Sequence, residues 1–299
     1  MPTIKVDIDA PNKPPNFPSA DEILQQWRER LRLAQAANPG EHIRGVLLVD
    51  GSGAPYAWLK FGPTVTMAEG RTQHFVAQLV NGDATAPVRV PYVYLTFEFG
   101  LRGFIVMEFV DGAAPAYESE RDVADAAAAV RYLTRIRAPN SVPGPIGGGL
   151  IRHPFFQDRE SAVAYPSVDW LQLHVNRASI LQRAYGRAGG GVDFSAEVEA
   201  HGLRLCPADL NRENFIRPRD STGGKIVVLD FGATCFLPVS FFRSALDISA
   251  DHFTMLLCSQ IPEPPESKNS EGVTRASYAL VPRRSNWFGL PRELKPLSK

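Results

Sequence analysis

The feature that most constrains this chain is a pair of polar motifs, each built into a short apolar run. The first is Leu205-Cys-Pro-Ala-Asp-Leu-Asn-Arg-Glu-Asn-Phe215 and the second is Lys225-Ile-Val-Val-Leu-Asp-Phe-Gly232, so that Asp230 stands 21 residues after Asp209. Asn214 opens one run, Asp230 closes the other, and Pro218 to Gly224 between them has turn composition. If the two runs pair as an antiparallel hairpin, Asn214 and Asp230 share its open end, and Asp209 lies in the loop that feeds it. Three oxygen-bearing side chains then converge beside a sheet edge, a donor set suited to hard Mg2+ together with phosphate oxygens and water. Phosphoryl transfer needs such a set: one carboxylate orients the acceptor hydroxyl or takes its proton, while an amide and a second carboxylate hold the metal on the phosphates. Asp-x-x-x-x-Asn alone has a plainer reading, a turn pair bonding its own backbone. The Asp-Phe-Gly that follows is what makes the pattern informative.

The rest of the chain reads as strands first and helices later. The segment to Pro18 carries five prolines and reads as an extended arm. Ser19 is placed to cap a helix over Ala20 to Ala37, stopped by Asn38-Pro-Gly40. Val46 to Val49, a turn at Asp50-Gly-Ser-Gly53, and Tyr56 to Lys60 predict a β-hairpin. A helix is expected over Thr64 to Leu79, then strands at Tyr92 to Phe97 and Phe104 to Phe109, then an alanine-rich helix over Glu120 to Arg137. Pro143 begins an irregular stretch to Pro166, a helix follows over about Val168 to Gly186, and Gly189 to Gly191 reads as flexible. Ile261 to Ser270 is proline- and charge-rich and reads as a surface loop. The expected organisation is an arm and helix over 1–43, a β-rich part with one long helix over 44–110, and a helical part over 111–299.

Composition narrows the partners. The chain has 299 residues with 32 basic against 32 acidic side chains, and this balance excludes a broad basic field for nucleic acid or anionic membrane. No run approaches the roughly 18 apolar residues of a membrane span, and the first residues lack a signal-peptide hydrophobic region, so a cytoplasmic protein is expected. Three cysteines cannot make an even disulfide framework, and neither they nor the six histidines show metal-ligand spacing. His153, His174, His201 and His252 therefore read as surface or satisfied packing residues.

At these motifs the chain resembles the aminoglycoside phosphotransferase and choline kinase-like family of the protein kinase-like superfamily, and most of all its fungal branch. The catalytic loop before Asp230-Phe-Gly232, Thr234-Cys-Phe-Leu-Pro238 and Gly289-Leu-Pro-Arg-Glu-Leu294 carry that resemblance. It implies an α+β, bilobal protein-kinase-like fold with a reduced β-rich N-lobe and a mainly helical C-lobe. It further implies Asp209 as catalytic base, Asn214 and Asp230 as Mg2+ ligands, Lys60 on the α- and β-phosphates of ATP, and Glu69 as the helix glutamate pairing with Lys60. Met107 would border the nucleotide pocket, with the backbone near Glu108 and Val110 bonding the adenine edge. Glu69 has a second reading, since Thr66-Met-Ala-Glu69 is also a capping box.

Two departures from the family pattern stand out. Pro207 occupies the usual place of a histidine that ties the catalytic loop down, and proline offers no such donor. Asp50 to Ala54 is the only candidate for a glycine-rich phosphate loop, and it lacks the G-x-G-x-x-G spacing. The expected function is MgATP-dependent phosphorylation of a small-molecule hydroxyl. The alternatives are a nucleotide- or ligand-binding module without transfer, or a kinase scaffold reused for metal-dependent chemistry on a phosphorylated or diphosphate substrate. A polycationic acceptor would call for an acidic cleft, for which Glu160, Asp169 and Asp193 are available.

Overall fold

The computed structural model describes residues 3–40, 43–183, 191–219, 224–249, 251–262 and 267–295. They group into two compact units, residues 1–113 with 218–232 and residues 114–217 with 233–299. The fold class is α+β, with a β-rich N-terminal unit and a mainly helical C-terminal unit. Among the described residues no helix is long and apolar enough to cross a membrane.

The N-terminal unit contains β1 (Ile4–Asp9), α1 (Ala20–Ala37), β2 (Gly45–Val49), β3 (Pro55–Gly62), α2 (Met67–Gly82), β4 (Val88–Arg89), β5 (Val93–Phe99), β6 (Arg102–Met107) and β7 (Gly112–Ala113). Five strands make an antiparallel sheet in the order β1-β5-β6-β3-β2. Within the proline-rich arm only Ile4–Asp9 is a strand, β1, which pairs with β5 at the edge opposite β2; the prolines that follow it lie among turns.

Period-two alternation decides what each face of the sheet does. Leu59 and Phe61 of β3, with Phe104 and Val106 of β6, face α1 and pack on Ile23, Leu24 and Trp27. The Trp27 ring meets Phe61 and Phe104 edge-on at centroid distances of 5.5 and 5.1 Å. Ser19 and Glu22 form a full capping box at the start of α1. The opposite face carries Ile105, Met107, Val65 and Val93 as a second cluster. There α2 lies close to the sheet at Gly70, where a Cβ would stand 2.6 Å from the Thr96 side chain. Helix α2 starts later than the expected Thr64 because Thr66 is the cap, its side chain accepting from Glu69 N–H.

The C-terminal unit contains α3 (Glu120–Leu133), α4 (Val168–Arg183), α5 (Phe194–His201), β8 (Arg204–Pro207) and β9 (Phe215–Pro218). After β10 (Ile226–Val228), which belongs with the N-terminal unit and pairs in parallel with β4, follow β11 (Thr234–Leu237), α6 (Val239–Ile248), α7 (His252–Gln260) and α8 (Ser267–Arg283). Helix α3 ends four residues before the expected Arg137. Backbone bonds from Ala138 N–H to Leu203 C=O and from Leu205 N–H to Ile136 C=O draw the chain into an extended path beside β8. Helix α8 begins inside the stretch expected to be a surface loop, and residues 263–266 of that stretch lie outside the described residues, as do Gly189 and Gly190 of the expected flexible triplet.

His153 and His174 are satisfied packing residues. His153 has no exposed surface, its Nδ1 accepts from Phe155 N–H at 2.9 Å, and its Nε2 donates to Phe241 C=O at 2.9 Å. His174 Nδ1 is 2.6 Å from the Tyr165 hydroxyl and its Nε2 donates to Phe288 C=O at 2.8 Å. Burial lowers both imidazoles from 6.5 to about 4. The unfolded chain therefore binds protons that the folded chain refuses. Stability is fully present above pH 6.5 and declines as pH falls from 6.5 toward about 4. The expected loss is up to about 3 kcal/mol for each histidine, measured by urea unfolding across that window. A flat profile over the window would contradict this reading, and His174→Gln should remove about half of the slope.

Candidate functional site

Strand alternation that sends Leu59 and Phe61 toward α1 turns Lys60 to the α2 face, where it pairs across the sheet with Ile105. Its ammonium lies 2.5 Å from Glu69 Oε1 and 2.8 Å from Asp230 Oδ1. The Lys60 side chain is 19% exposed and that of Glu69 is 2% exposed, so this cation is held inside the unit by carboxylates rather than by water. Burial alone pulls the Lys60 ammonium down, but the attraction of Glu69 and Asp230 outweighs it and raises Lys60 above the ordinary lysine value. Of the two readings of Glu69, the carboxylate goes to Lys60, while its backbone N–H is the group that Thr66 caps.

Asp230 stands in the left-handed region at φ 55°, which aspartate tolerates better than most side chains. The conformation lets Oδ1 accept from Gly232 N–H at 3.1 Å as well as from Lys60. At Gly232 a Cβ would stand 3.0 Å from that same Oδ1 and 3.3 Å from Glu69 Oε2, so any side chain there would press on both carboxylates. Burial pushes the Asp230 carboxyl up, but Lys60, the Gly232 N–H and Arg44 together bring it below the ordinary aspartate value. An ionised carboxylate with Oδ1 bound to protein donors is suited to hold a hard cation with its other oxygen.

Met107 is buried at the end of β6, with its sulfur 3.4 Å from Gln73 Nε2. Glu108 directly follows β6 and ties it to the segment before β5: its carboxylate accepts from Arg89 at 2.6 Å and from Tyr92 N–H at 3.3 Å, and its own N–H donates to Tyr92 C=O. Val110 is half-buried in the segment that follows.

The other motif belongs to the C-terminal unit. There β8 and β11 pair antiparallel, with Pro207 opposite Thr234, and Ala208 N–H donates to Ala233 C=O at 3.0 Å. That backbone bond holds the loop beside Pro207, where no histidine is available. Leu210 and Phe215 anchor the loop by burial, Phe215 against Phe253 and Leu210 through its carbonyl to Thr254 Oγ1. Asp209 Oδ1 accepts from Asn211 Nδ2 at 2.6 Å, and Asn214 Nδ2 donates to Asp209 C=O at 2.9 Å. The turn-pair reading of Asp209 and Asn214 is thus realised, and it leaves Oδ1 as the end of Asn214 suited to a cation.

At 50–54 the expected hairpin turn forms between β2 and β3, and the glycine-rich-loop candidate is taken up in it. Asp50 Oδ1 accepts from Ser52 N–H at 2.8 Å, Ser52 Oγ at 2.6 Å and Ala54 N–H at 3.0 Å, and Asp50 N–H donates to Ala54 C=O. The segment is a plain hairpin turn whose amides are taken by its own carboxylate. The candidates for an acidic cleft are each bound elsewhere: Glu160 to Arg152, Asp169 to Ser195 Oγ, and Asp193 as the cap of α5. Sequence reasoning missed Arg159, which lines a cavity with Asp209; no spacing marked it.

No protein-family model matches the chain, and no curated protein matches it. Among solved structures it is similar to the aminoglycoside phosphotransferase APH(4)-Ia, with a TM-score of 0.47 and 14% identity over 84% of this chain and 88% of that one. It is also similar to the aminoglycoside phosphotransferase from Alicyclobacillus acidocaldarius (TM-score 0.43, 12% identity, 80% and 76% covered). A third is APH(3'')-Id from Streptomyces rimosus (TM-score 0.40, 13% identity, 86% and 98% covered).

The Lys60 cluster makes a stability prediction. Lys60→Met removes the cation from a buried carboxylate and should cost about 3–5 kcal/mol in urea unfolding. The double variant Lys60→Met, Glu69→Gln should recover part of that loss, because the remaining side chain is no longer an ionised group in an apolar setting. Equal stability of the two variants would show that the Lys60–Glu69 pair is not the source of the cost.

Proposed function

We propose that this protein is a MgATP-dependent phosphotransferase acting on a small-molecule hydroxyl, of the aminoglycoside phosphotransferase and choline kinase-like type, fungal branch included, and working in the cytoplasm. The observation that carries the proposal is the Lys60 ammonium held between Glu69 and the left-handed Asp230. A structural lysine at a strand end reaches water. This one is kept off rotamer freedom and aimed, at the cost of desolvation, which suits a group meant to grip phosphate oxygens.

In this reading Lys60 neutralises charge on the phosphates, Glu69 fixes its direction, and Asp230 and Asn214 supply oxygen ligands to Mg2+. The metal, when bound, draws electron density from the phosphates and steadies the charge that develops during transfer. Met107 borders the base, with backbone near Glu108 and Val110 on its polar edge. Asp209 accepts the proton of the acceptor hydroxyl. Its hydrogen bond from Asn211 directs one oxygen of the carboxylate.

One observation favours a second reading, a nucleotide-binding protein without transfer. The 50–54 turn spends its amides on Asp50, and β1 lies at the far edge of the sheet from β2, so neither supplies a phosphate-covering hairpin.

The two readings separate in a paired experiment. ATP with Mg2+ at millimolar concentration should stabilise the wild-type protein and should stabilise neither Lys60→Met nor Asp230→Asn to the same degree. Asp209→Asn should bind nucleotide as wild type does, while phosphoryl transfer falls by at least about 100-fold. No thermal shift of wild type with MgATP would sink both readings. Binding with no transfer to any of a varied set of alcohols, by wild type, would leave the second.

A further inference from the structure

The C-terminal unit holds a cavity of about 300 Å3 lined by Asp209, Asn211, Leu246, Asp251, Thr254 and Arg159, among others. Arg159 reaches it from an unusual backbone. Asp158 and Arg159 are consecutive non-glycine residues in the left-handed region, at φ 54° and 59°. Such a conformation costs free energy and persists where the surroundings over-determine it.

Here they do so from three directions. The Asn286 side chain accepts from Gln157 N–H at 2.7 Å and donates to Gln157 C=O at 2.8 Å and Glu160 C=O at 2.7 Å. The backbone of Arg159 is bound on both sides, its N–H to Phe156 C=O and its C=O to His153 N–H, each at 3.0 Å. His153 is itself pinned through both ring nitrogens, and Arg152 bonds Glu160 at 2.8 Å. A buried imidazole, a half-buried amide and an ion pair thus hold one exposed arginine at the cavity.

The charges around that arginine are unbalanced. Among the described residues no carboxylate pairs with the Arg159 guanidinium. The two carboxylates lining the cavity have other donors: Asp209 takes Asn211 Nδ2, and Asp251 caps α7 by accepting from Thr254 N–H at 2.8 Å. A cavity meant for a polycation would leave carboxylates open and keep arginine out. A volume near 300 Å3 is at the small end of the ~300–1,000 Å3 range of ligand pockets, which suits a metabolite of few heavy atoms.

We propose that Arg159 is the specificity residue of the acceptor site, and that the acceptor is a small hydroxylated organic anion. The guanidinium fork takes its carboxylate or phosphate monoester, and the free hydroxyl is the end offered to Asp209. Both anionic groups match the fork in two parallel hydrogen bonds. The inference rests on the phosphotransferase reading for its hydroxyl but not for its anion.

The test is calorimetric titration of the full chain without nucleotide or metal, using glycerate for the carboxylate, glycerol 3-phosphate for the phosphate ester, glycerol as the uncharged control and choline as the cationic one. At least one anion should bind wild type about tenfold or more tighter than glycerol and choline. The stronger of the two anions identifies the headgroup. Arg159→Gly should abolish that binding. Glycine carries no penalty in the left-handed region, so this variant should melt at or above the wild-type temperature, and lost binding is not lost folding. Arg159→Asn, which also tolerates this backbone, is the second variant and should lose binding equally. The proposal is overturned if neither anion binds at ~10 mM, if glycerol or choline binds as well as the anions, or if Arg159→Gly binds undiminished. Transfer assays separate the two failures. Arg159-dependent anion binding with no ATP-dependent phosphorylation of any alcohol leaves this site standing and sinks the phosphotransferase reading. Phosphorylation of neutral or cationic alcohols, unaffected by Arg159→Gly, does the reverse.

Discussion

A lysine ammonium with four-fifths of its side chain out of water is stable only where opposite charge replaces the lost hydration, and much of the N-terminal unit is arranged to supply that charge at Lys60. Each requirement falls on a different element. Strand alternation must turn Lys60 away from the α1 core, α2 must come close enough for a short glutamate side chain to reach, and the chain at Asp230 must bend so that a carboxylate points back. Gly70 allows the second and the left-handed backbone at 230 the third. The Thr66 cap sets the start of α2, and with it the phase that puts Glu69 on the sheet side. A change of register by one residue in β3 would exchange Lys60 with an apolar neighbour and leave a charge in the aromatic core.

How much of this was readable in advance depends on how local the cause is. The Asp209, Asn214 and Asp230 spacing, the strand that carries Lys60 and the α1 cap are written in short stretches of chain. Each could be read locally, although Asp209 and Asn214 also bond as the turn pair that the same spacing allows. Glu69 had two local uses that sequence could not rank; the structure shows its backbone in one and its carboxylate in the other. What was not legible depends on distant partners. Helix α3 stops short of Arg137 because Leu203 and Leu205 capture the next turn's backbone, some seventy residues away. Prolines around Ile4–Asp9 read as an arm, and nothing local said that β5 would take the segment as an edge strand. Arg159 has no motif at all. Its position follows from Asn286 and His153, which neither spacing nor periodicity connects to it.

The turn at Asp50 shows how one side chain can exclude a role that glycine content suggests. Loop amides bind phosphate only if they are unclaimed and convergent. In the 50–54 turn a carboxylate attached to the same loop has claimed two of them and a hydroxyl. An external phosphate would have to displace a tethered anion, whose effective concentration is far above that of any free ligand. The burden of phosphate recognition in this chain therefore shifts toward Lys60 and the metal ligands. That shift makes the fixed geometry of Lys60 more consequential than it would be beneath a covering loop.

Backbone strain locates function here only when read together with its supports. Among the described residues, five non-glycine residues lie in the left-handed region: Asn16, Asp158, Arg159, Asp230 and Arg284. Left-handed backbone alone cannot separate them, since asparagine adopts it readily in turns. The distinction lies in what the surroundings spend to keep it. At Asp230 the side chain itself closes the bend on Gly232 N–H and binds a buried cation, so the strained backbone and the charged group form one device. At Arg159 the support comes from other residues: Asn286 bonds the loop three times, and the buried His153 backbone takes the Arg159 carbonyl. None of these bonds involves the guanidinium. A loop stiffened only for stability would do better with glycine at 158 and 159, which would remove the strain and keep every one of those backbone bonds. Arginine at that position adds nothing to the scaffold that holds it, so its contribution is to be sought at the cavity it faces.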